Sequence, residues 1–143
     1  MRHLHLEKKG IRGLAIAESF SQDSKKSVLS GIVMSTDLVI DGFVMGHSTV
    51  GGDDATDTIL TMYKKLDRPD VSFLLISGIV ISLYNIIDLK RISEETGLPV
   101  IGVTYEESKG IEDAIKHHFP DSYKSKLAEY SNCLLYTSDA ADE

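Results

Sequence analysis

The hydrophobic period of this chain changes along its length, and that change restricts the available folds more than any single motif. Residues 11–18 alternate in twos, residues 27–34 and 38–50 read as further strands, residues 55–66 repeat in threes and fours, and Val71 to Ile76 are apolar without a break. Alternation in twos marks a strand and a three–four repeat marks a helix. A short unbroken apolar run marks a strand covered on both faces. A chain that opens with three strands and then alternates helix with strand must bury a sheet under helices, so its class is α/β.

The local signals fill in the order. Leu14, Ile16 and Glu18 fall on one face of the first strand, Ala15 and Ala17 on the other. Ser21 to Lys26 and Ser35-Thr36-Asp37 are turns, and Gly42 and Gly46 interrupt the third strand, so the first 50 residues read as an antiparallel meander. Gly51-Gly52-Asp53-Asp54 ends it. A helix follows with Ala55, Ile59, Met62, Tyr63 and Leu66 on one side, Asp54 as N-cap, Asp57 in the first turn and Lys64 and Lys65 near the end. Arg68-Pro69-Asp70 breaks the helix before the strand at 71–76. Residues 79–83 stay open between loop and helix. Tyr84 to Thr96 reads as a helix through Ile86, Leu89 and Ile92, with Gly97 as its stop. Pro99 to Tyr105 is a strand, Gly110 to Phe119 a helix, and Asp121 to Ser131 a short helix. The order β-β-β-α-β-α-β-α is that of an RNase H-like mixed sheet, in one domain spanning residues 1–132.

Residues 133–143, Cys-Leu-Leu-Tyr-Thr-Ser-Asp-Ala-Ala-Asp-Glu, resemble the translation of a sequencing-library adapter rather than natural protein. The natural reading frame is therefore expected to break near Asn132, with the natural C-terminus truncated. Setting aside Asp139, Asp142 and Glu143 takes the 22 acids to 19 against 15 bases, a net charge of −4 instead of −7. Setting aside Cys133 leaves no cysteine, which excludes a disulfide, a thiolate nucleophile and a Cys-ligated zinc site. The acidic balance argues against a broad basic nucleic-acid surface. No apolar run is long enough to cross a bilayer and residues 1–13 hold no signal-peptide core, so a soluble, cytoplasmic protein is expected. Nothing in the sequence sets the oligomeric state.

Ligands of mixed sheets lie at the carboxyl ends of the parallel strands. That edge should gather Glu18, the loop from Gly51 to Asp57, Ser77-Gly78 and Thr104 to Glu107 into one pocket. Asp53, Asp54 and Asp57 with Glu18 are oxygen donors of the kind a hard divalent cation takes, Mg²⁺ or Mn²⁺. Such ions can hydrolyse a phosphodiester. Capping the helix is the favoured role of Asp54 and Asp57 over metal binding, and both roles can coexist. Gly51 and Gly52 could bring backbone N–H groups to an anion or simply form a tight turn. Glu18 is a candidate desolvated carboxylate at a strand end. None of His3, His5, His47, His117 and His118 has a partner at a metal or triad spacing, and only His47 lies near the acidic loop. Arg2, Lys8, Lys9 and Arg12 form a small basic group that could touch phosphate or remain solvated. No nucleophile elbow is present, so acyl-transfer hydrolysis lacks support.

At these residues the chain resembles an archaeal family, domain of unknown function ninety-nine, that is related to endonuclease V. The resemblance runs from Leu6 to Ser131 and rests on Lys8 to Arg12, Ile40-Asp41-Gly42, Thr49 to Asp57, Gly78-Ile79, Asn85 to Leu89 and Thr96 to Val100. It implies an RNase H-like fold, an archaeal and intracellular source, and relatives that continue past this chain's end. It also implies carboxylates at the end of the first strand, near the first helix and at the end of the fourth strand. Ala17-Glu18 stands where members keep Asp-Asp, and Ser77-Gly78 where they keep Asp-Gly, so two of those carboxylates are replaced. Two functions stay open. One is metal-dependent nucleic-acid processing with a degenerate acidic site, in which Glu18, Asp54 and Asp57 are catalytic, these three and Asp53 hold the metal, Gly51, Gly52, Ser77 and Gly78 bind substrate, and Ser77 supplies a supporting hydroxyl. The other is a non-catalytic module of the same fold that binds nucleic acid, a nucleotide or a protein.

Overall fold

The computed structural model describes residues 10–104 apart from 22, 82 and 83, together with residues 8, 121, 124, 125 and 128. His3, His5, His117 and His118, the strand end at Tyr105, residues 105–107, nearly all of the two helices expected at 110–131, and the 133–143 segment lie outside the described residues.

Three strands come first: β1 (Arg12–Ser19), β2 (Lys26–Ser35) and β3 (Ile40–Thr49). Then come α1 (Ala55–Leu66), β4 (Val71–Ser77), two short strands β5 (Val80–Ile81) and β6 (Asn85–Ile86), α2 (Leu89–Thr96) and β7 (Val100–Val103). The main sheet has the order β3-β2-β1-β4-β7, and β5 and β6 pair apart from it. β2 is antiparallel to β1 and β3, while β4 runs parallel to β1 and β7 parallel to β4. This is the RNase H-like sheet that the element order predicts. Among the described residues, no helix is long and apolar enough to cross a membrane.

The alternation in β1 holds. Leu14 and Ile16 are buried and stand beside Leu74 and Ile76 of β4 and Val33 and Gly31 of β2. α1 adds Ile59, Leu60 and Met62 to this layer, and α2 adds Leu89 and Ile92. Each such side chain contributes roughly 1.5–3 kcal/mol by leaving water. Met62 fits because Gly46 lacks a side chain: a Cβ there would lie 2.8 Å from the Met62 sulfur. The other face is more open than the unbroken apolar run suggested, with Ala17 exposed and Phe73 and Leu75 half-buried. Phe43 and Met45 of β3 are also exposed there.

The second helix is shorter than expected. Tyr84 to Asp88 are not helical, because Asn85 and Ile86 pair with Ile81 and Val80 as a hairpin. The helix starts only where the Asp88 carboxylate accepts the Arg91 N–H, and it ends at Gly97 in the left-handed region as predicted. The segment left open between loop and helix contains β5 instead. The third strand begins at Ile40, leaving Leu38 and Val39 in the preceding loop.

Candidate functional site

The parallel strands β1 and β4 end side by side at Ser19 and Ser77. Glu18 follows Leu14 and Ile16 onto the helix-covered side of the sheet, and its Oε2 atom is buried. After β4 the chain turns at Gly78, where φ is +91°, and the Gly78 N–H donates to the Val103 carbonyl at 2.7 Å. Only glycine adopts that backbone readily. The hairpin β5–β6 then folds back over the strand ends. The result is a cleft of about 350 Å³ lined by Glu18, Phe20, Ser77, Gly78, Val80, Ile81 and Tyr84. It offers one carboxylate, two aromatic rings and apolar walls.

The acidic corner between β3 and α1 is built differently. Asp54 stands at the N-cap position, but its side chain turns back instead of bonding the helix. Oδ1 accepts the Thr49 N–H at 2.9 Å and the Asn85 side-chain N–H at 3.0 Å, and Oδ2 accepts the Thr49 hydroxyl at 2.7 Å. Burial pushes the Asp54 carboxyl upward, but the bonds from Thr49 and Asn85 together outweigh it and hold its pKa below the ordinary 3.8. The helix is capped from a distance: Asn85 Oδ1 accepts the Ala55 N–H at 3.1 Å. Asp57 forms an ion pair with Arg91 at 2.7 Å, and Arg91 also binds Glu95. Asp53 is exposed. Gly51, at φ +73°, and Gly52 form a tight turn in which the Gly52 N–H donates to the Thr49 carbonyl. His47, Asp54, Asp57, Thr58 and Lys65 border a second hollow of about 430 Å³.

Among the described residues, those expected to share one pocket at the sheet edge line two hollows. Glu18, Ser77 and Gly78 share the first cleft, while Asp54 and Asp57 face the second. Tyr84 of the β5–β6 hairpin lines the first cleft, and its chain neighbour Asn85 bonds Asp54. Among the described residues, no three His, Cys, Asp or Glu side chains group closely enough to hold a metal ion. A hard divalent cation takes six or more oxygens. In the described residues it would meet one carboxylate in the cleft, an Asp54 already accepting three hydrogen bonds, and an Asp57 paired with arginine. These residues do not fit a Mg²⁺ or Mn²⁺ centre. The N-terminal basic group is corrected in part: Arg12 pairs with Asp41 at 2.8 Å and lies 3.7 Å from Asp70.

Sequence reasoning missed Phe20, Tyr84 and above all Asn85. The signal for Asn85 was present: it is the amide in the apolar stretch Ile79 to Ile87, and a buried amide must find partners.

The profile of the endonuclease dU family matches residues 9–139. The chain belongs to the endonuclease dU family. The match takes in residues 133–139, part of the segment that resembles adapter sequence. This endonuclease dU family chain is 38% identical over 109 residues to the UPF0215 protein of Pyrobaculum calidifontis, an alignment covering 76% of this chain and 60% of that protein. It is 35% identical over 108 residues to a UPF0215 protein of Thermococcus kodakarensis, covering 73% and 55%. Both relatives are archaeal, as the motifs implied. The chain thus spans 55–60% of the length of these relatives. A solved protein of unknown function from Archaeoglobus fulgidus superposes with a TM-score of 0.73 at 24% identity, covering 85% of this chain and 69% of that one. Endonuclease V of Bacillus subtilis gives a TM-score of 0.51 at 20% identity, covering 75% and 50%. Those two likenesses establish a shared fold.

Proposed function

We propose that this chain is a nucleic-acid-handling protein that takes an extruded uracil-type base into the cleft between Glu18 and Tyr84, and that it holds the strand without cutting it. The observation that carries this reading is the cleft itself: the Glu18 carboxylate, Phe20 and Tyr84 line one hollow at the ends of the parallel strands. The name of the endonuclease dU family points to deoxyuridine as the base. Proteins that inspect a base inside a duplex flip it into a pocket and read its pairing edge, with aromatic side chains stacking on its faces. The N3–H of uracil is a donor that the Glu18 carboxylate accepts, whereas cytosine presents an acceptor at N3 and can donate to the carboxylate only through its N4 amino group. The same carboxylate disfavours a phosphate in the cleft. The phosphates belong on the exposed Lys25-Lys26 turn, which opens β2 at this edge of the sheet.

The binding-only half of the proposal rests on the donor set. Ala17 and Ser77 replace the carboxylates that the family resemblance calls for, and Asp54 is held by Thr49 and Asn85. The test is fluorescence anisotropy of single strands carrying one dU or one dC, followed by a cleavage assay with Mg²⁺ or Mn²⁺. The dU strand should bind about tenfold tighter or more, which is about 1.4 kcal/mol. Glu18→Ala should erase the preference, and no cleavage should occur. Equal affinity for the two strands would refute the cleft. Mn²⁺-dependent cleavage lost in Glu18→Ala would restore the hydrolytic reading with Glu18, Asp54 and Asp57 as its acids.

A further inference from the structure

We infer that Asp54 is a positioning residue and not an ion ligand: with Asn85 it clamps the β5–β6 hairpin so that Tyr84 and Ile81 form a wall of the cleft. The inference rests on the cleft being the binding site.

Asn85 is fully buried and bonded at every polar atom of its amide. Its Nδ2 donates to the Thr49 carbonyl at 2.9 Å and to Asp54 at 3.0 Å, and its Oδ1 caps α1 through Ala55. Its strand partner is Ile81, and its chain neighbour is Tyr84, both in the cleft wall. Tyr84 has φ of +67°, a backbone state that costs an aromatic residue energy and persists only where the flanking chain enforces it. Two further bonds pin the same segment: the Ile87 N–H to the Ile79 carbonyl at 2.8 Å, and the Asp88 N–H to the Thr56 hydroxyl at 2.9 Å. The Asp54 corner therefore reaches the cleft through Asn85 without lining it.

The bonding pattern separates a clamp from an ion ligand. In Asp54→Asn the amide oxygen in the place of Oδ1 still accepts from Thr49 and Asn85. The new NH₂ in the place of Oδ2 donates to the Thr49 hydroxyl, which rotates to accept it. The clamp survives the loss of charge, whereas a carboxylate ligand of a hard cation does not. Asp54→Ala removes all three acceptor contacts.

The experiment is hydrogen exchange by mass spectrometry on the 78–88 segment, with dU-strand affinity measured alongside, in the wild type, Asp54→Asn, Asp54→Ala and Asn85→Ala. The two alanine variants should exchange about tenfold faster or more in that segment, with strands β1 and β2 unchanged, and should lose affinity by a similar factor. Asp54→Asn should match the wild type within about twofold in both readouts. If either alanine variant fails to fold, a folded Asp54→Asn with wild-type protection still supports the clamp. Asp54→Asn as damaging as Asp54→Ala would overturn it. So would Mn²⁺ raising the melting temperature of the wild type but not of Asp54→Asn. If the wild type binds no dU strand, the cleft reading fails by itself, and exchange still decides the clamp.

Discussion

Removing the hydroxyl of Ser27 should cost more stability than removing the hydroxyls of Ser27 and Ser48 together. These serines stand opposite each other on β2 and β3, on the face that α1 covers, with their Oγ atoms 2.8 Å apart and both residues fully buried. A buried hydroxyl that loses its partner forfeits its hydration without compensation, at about 1–3 kcal/mol. Ser27→Ala leaves Ser48 in that state. A cost of about 2 kcal/mol corresponds to a melting temperature lower by about 8 °C in a domain of this size. The double variant removes both polar groups and leaves two methyl groups in an apolar layer, so its cost should be about 0–1 kcal/mol. Urea melts followed by circular dichroism, with equal slopes across the four proteins, give the cycle directly. Additive losses, with the double variant worse than either single one, would refute the pairing.

Three other outcomes follow from the same structure. Gly13→Ala should destabilise by about 1–3 kcal/mol in thermal melts, because the new Cβ would meet the Phe73 ring at 2.4–2.8 Å; an unchanged melting temperature would show that the ring moves freely. Stability should fall as the pH drops below about 4. The Arg12 hydrogen bond holds Asp41 below 3.8, Arg68 does the same for Asp70, and Asp54 lies below it too, so the unfolded chain takes up protons first. The contribution of these groups is full above their unfolded value and is lost as pH falls through the folded ones; a urea midpoint that rises on acidification would contradict this. Replacing Lys25 and Lys26 by alanine should lower the slope of log affinity against log salt for a dU strand by about one to two, and an unchanged slope would remove that turn from the interface.

The meander was legible because alternation in β1 and the glycine-interrupted third strand carry their own period, and α1 was legible because its apolar positions recur every third or fourth residue. The start of α2 was misread for a physical reason. Ile86, Leu89 and Ile92 are spaced as a helix would space them, but Ile86 belongs to a two-residue strand too short to show any period. Residue type placed Asp54 correctly at the helix start yet could not show which way its carboxylate turns. Its partners lie five residues back, at Thr49, and 31 residues on, at Asn85. The same blindness joined Glu18 to the Asp53–Asp57 corner: topology brings both to one end of the sheet, and only the folded chain shows that Glu18 lines one hollow and Asp54 and Asp57 another.

The central claim is the location of the binding cleft, and backbone amide shifts tested against a dU-containing strand address it most directly. The account predicts that the amides of Phe20, Ser77, Gly78, Ile81 and Tyr84 move on titration while those of His47, Asp54 and Asp57 stay in place. Shifts centred on His47 and Asp57, with the cleft silent, would contradict it.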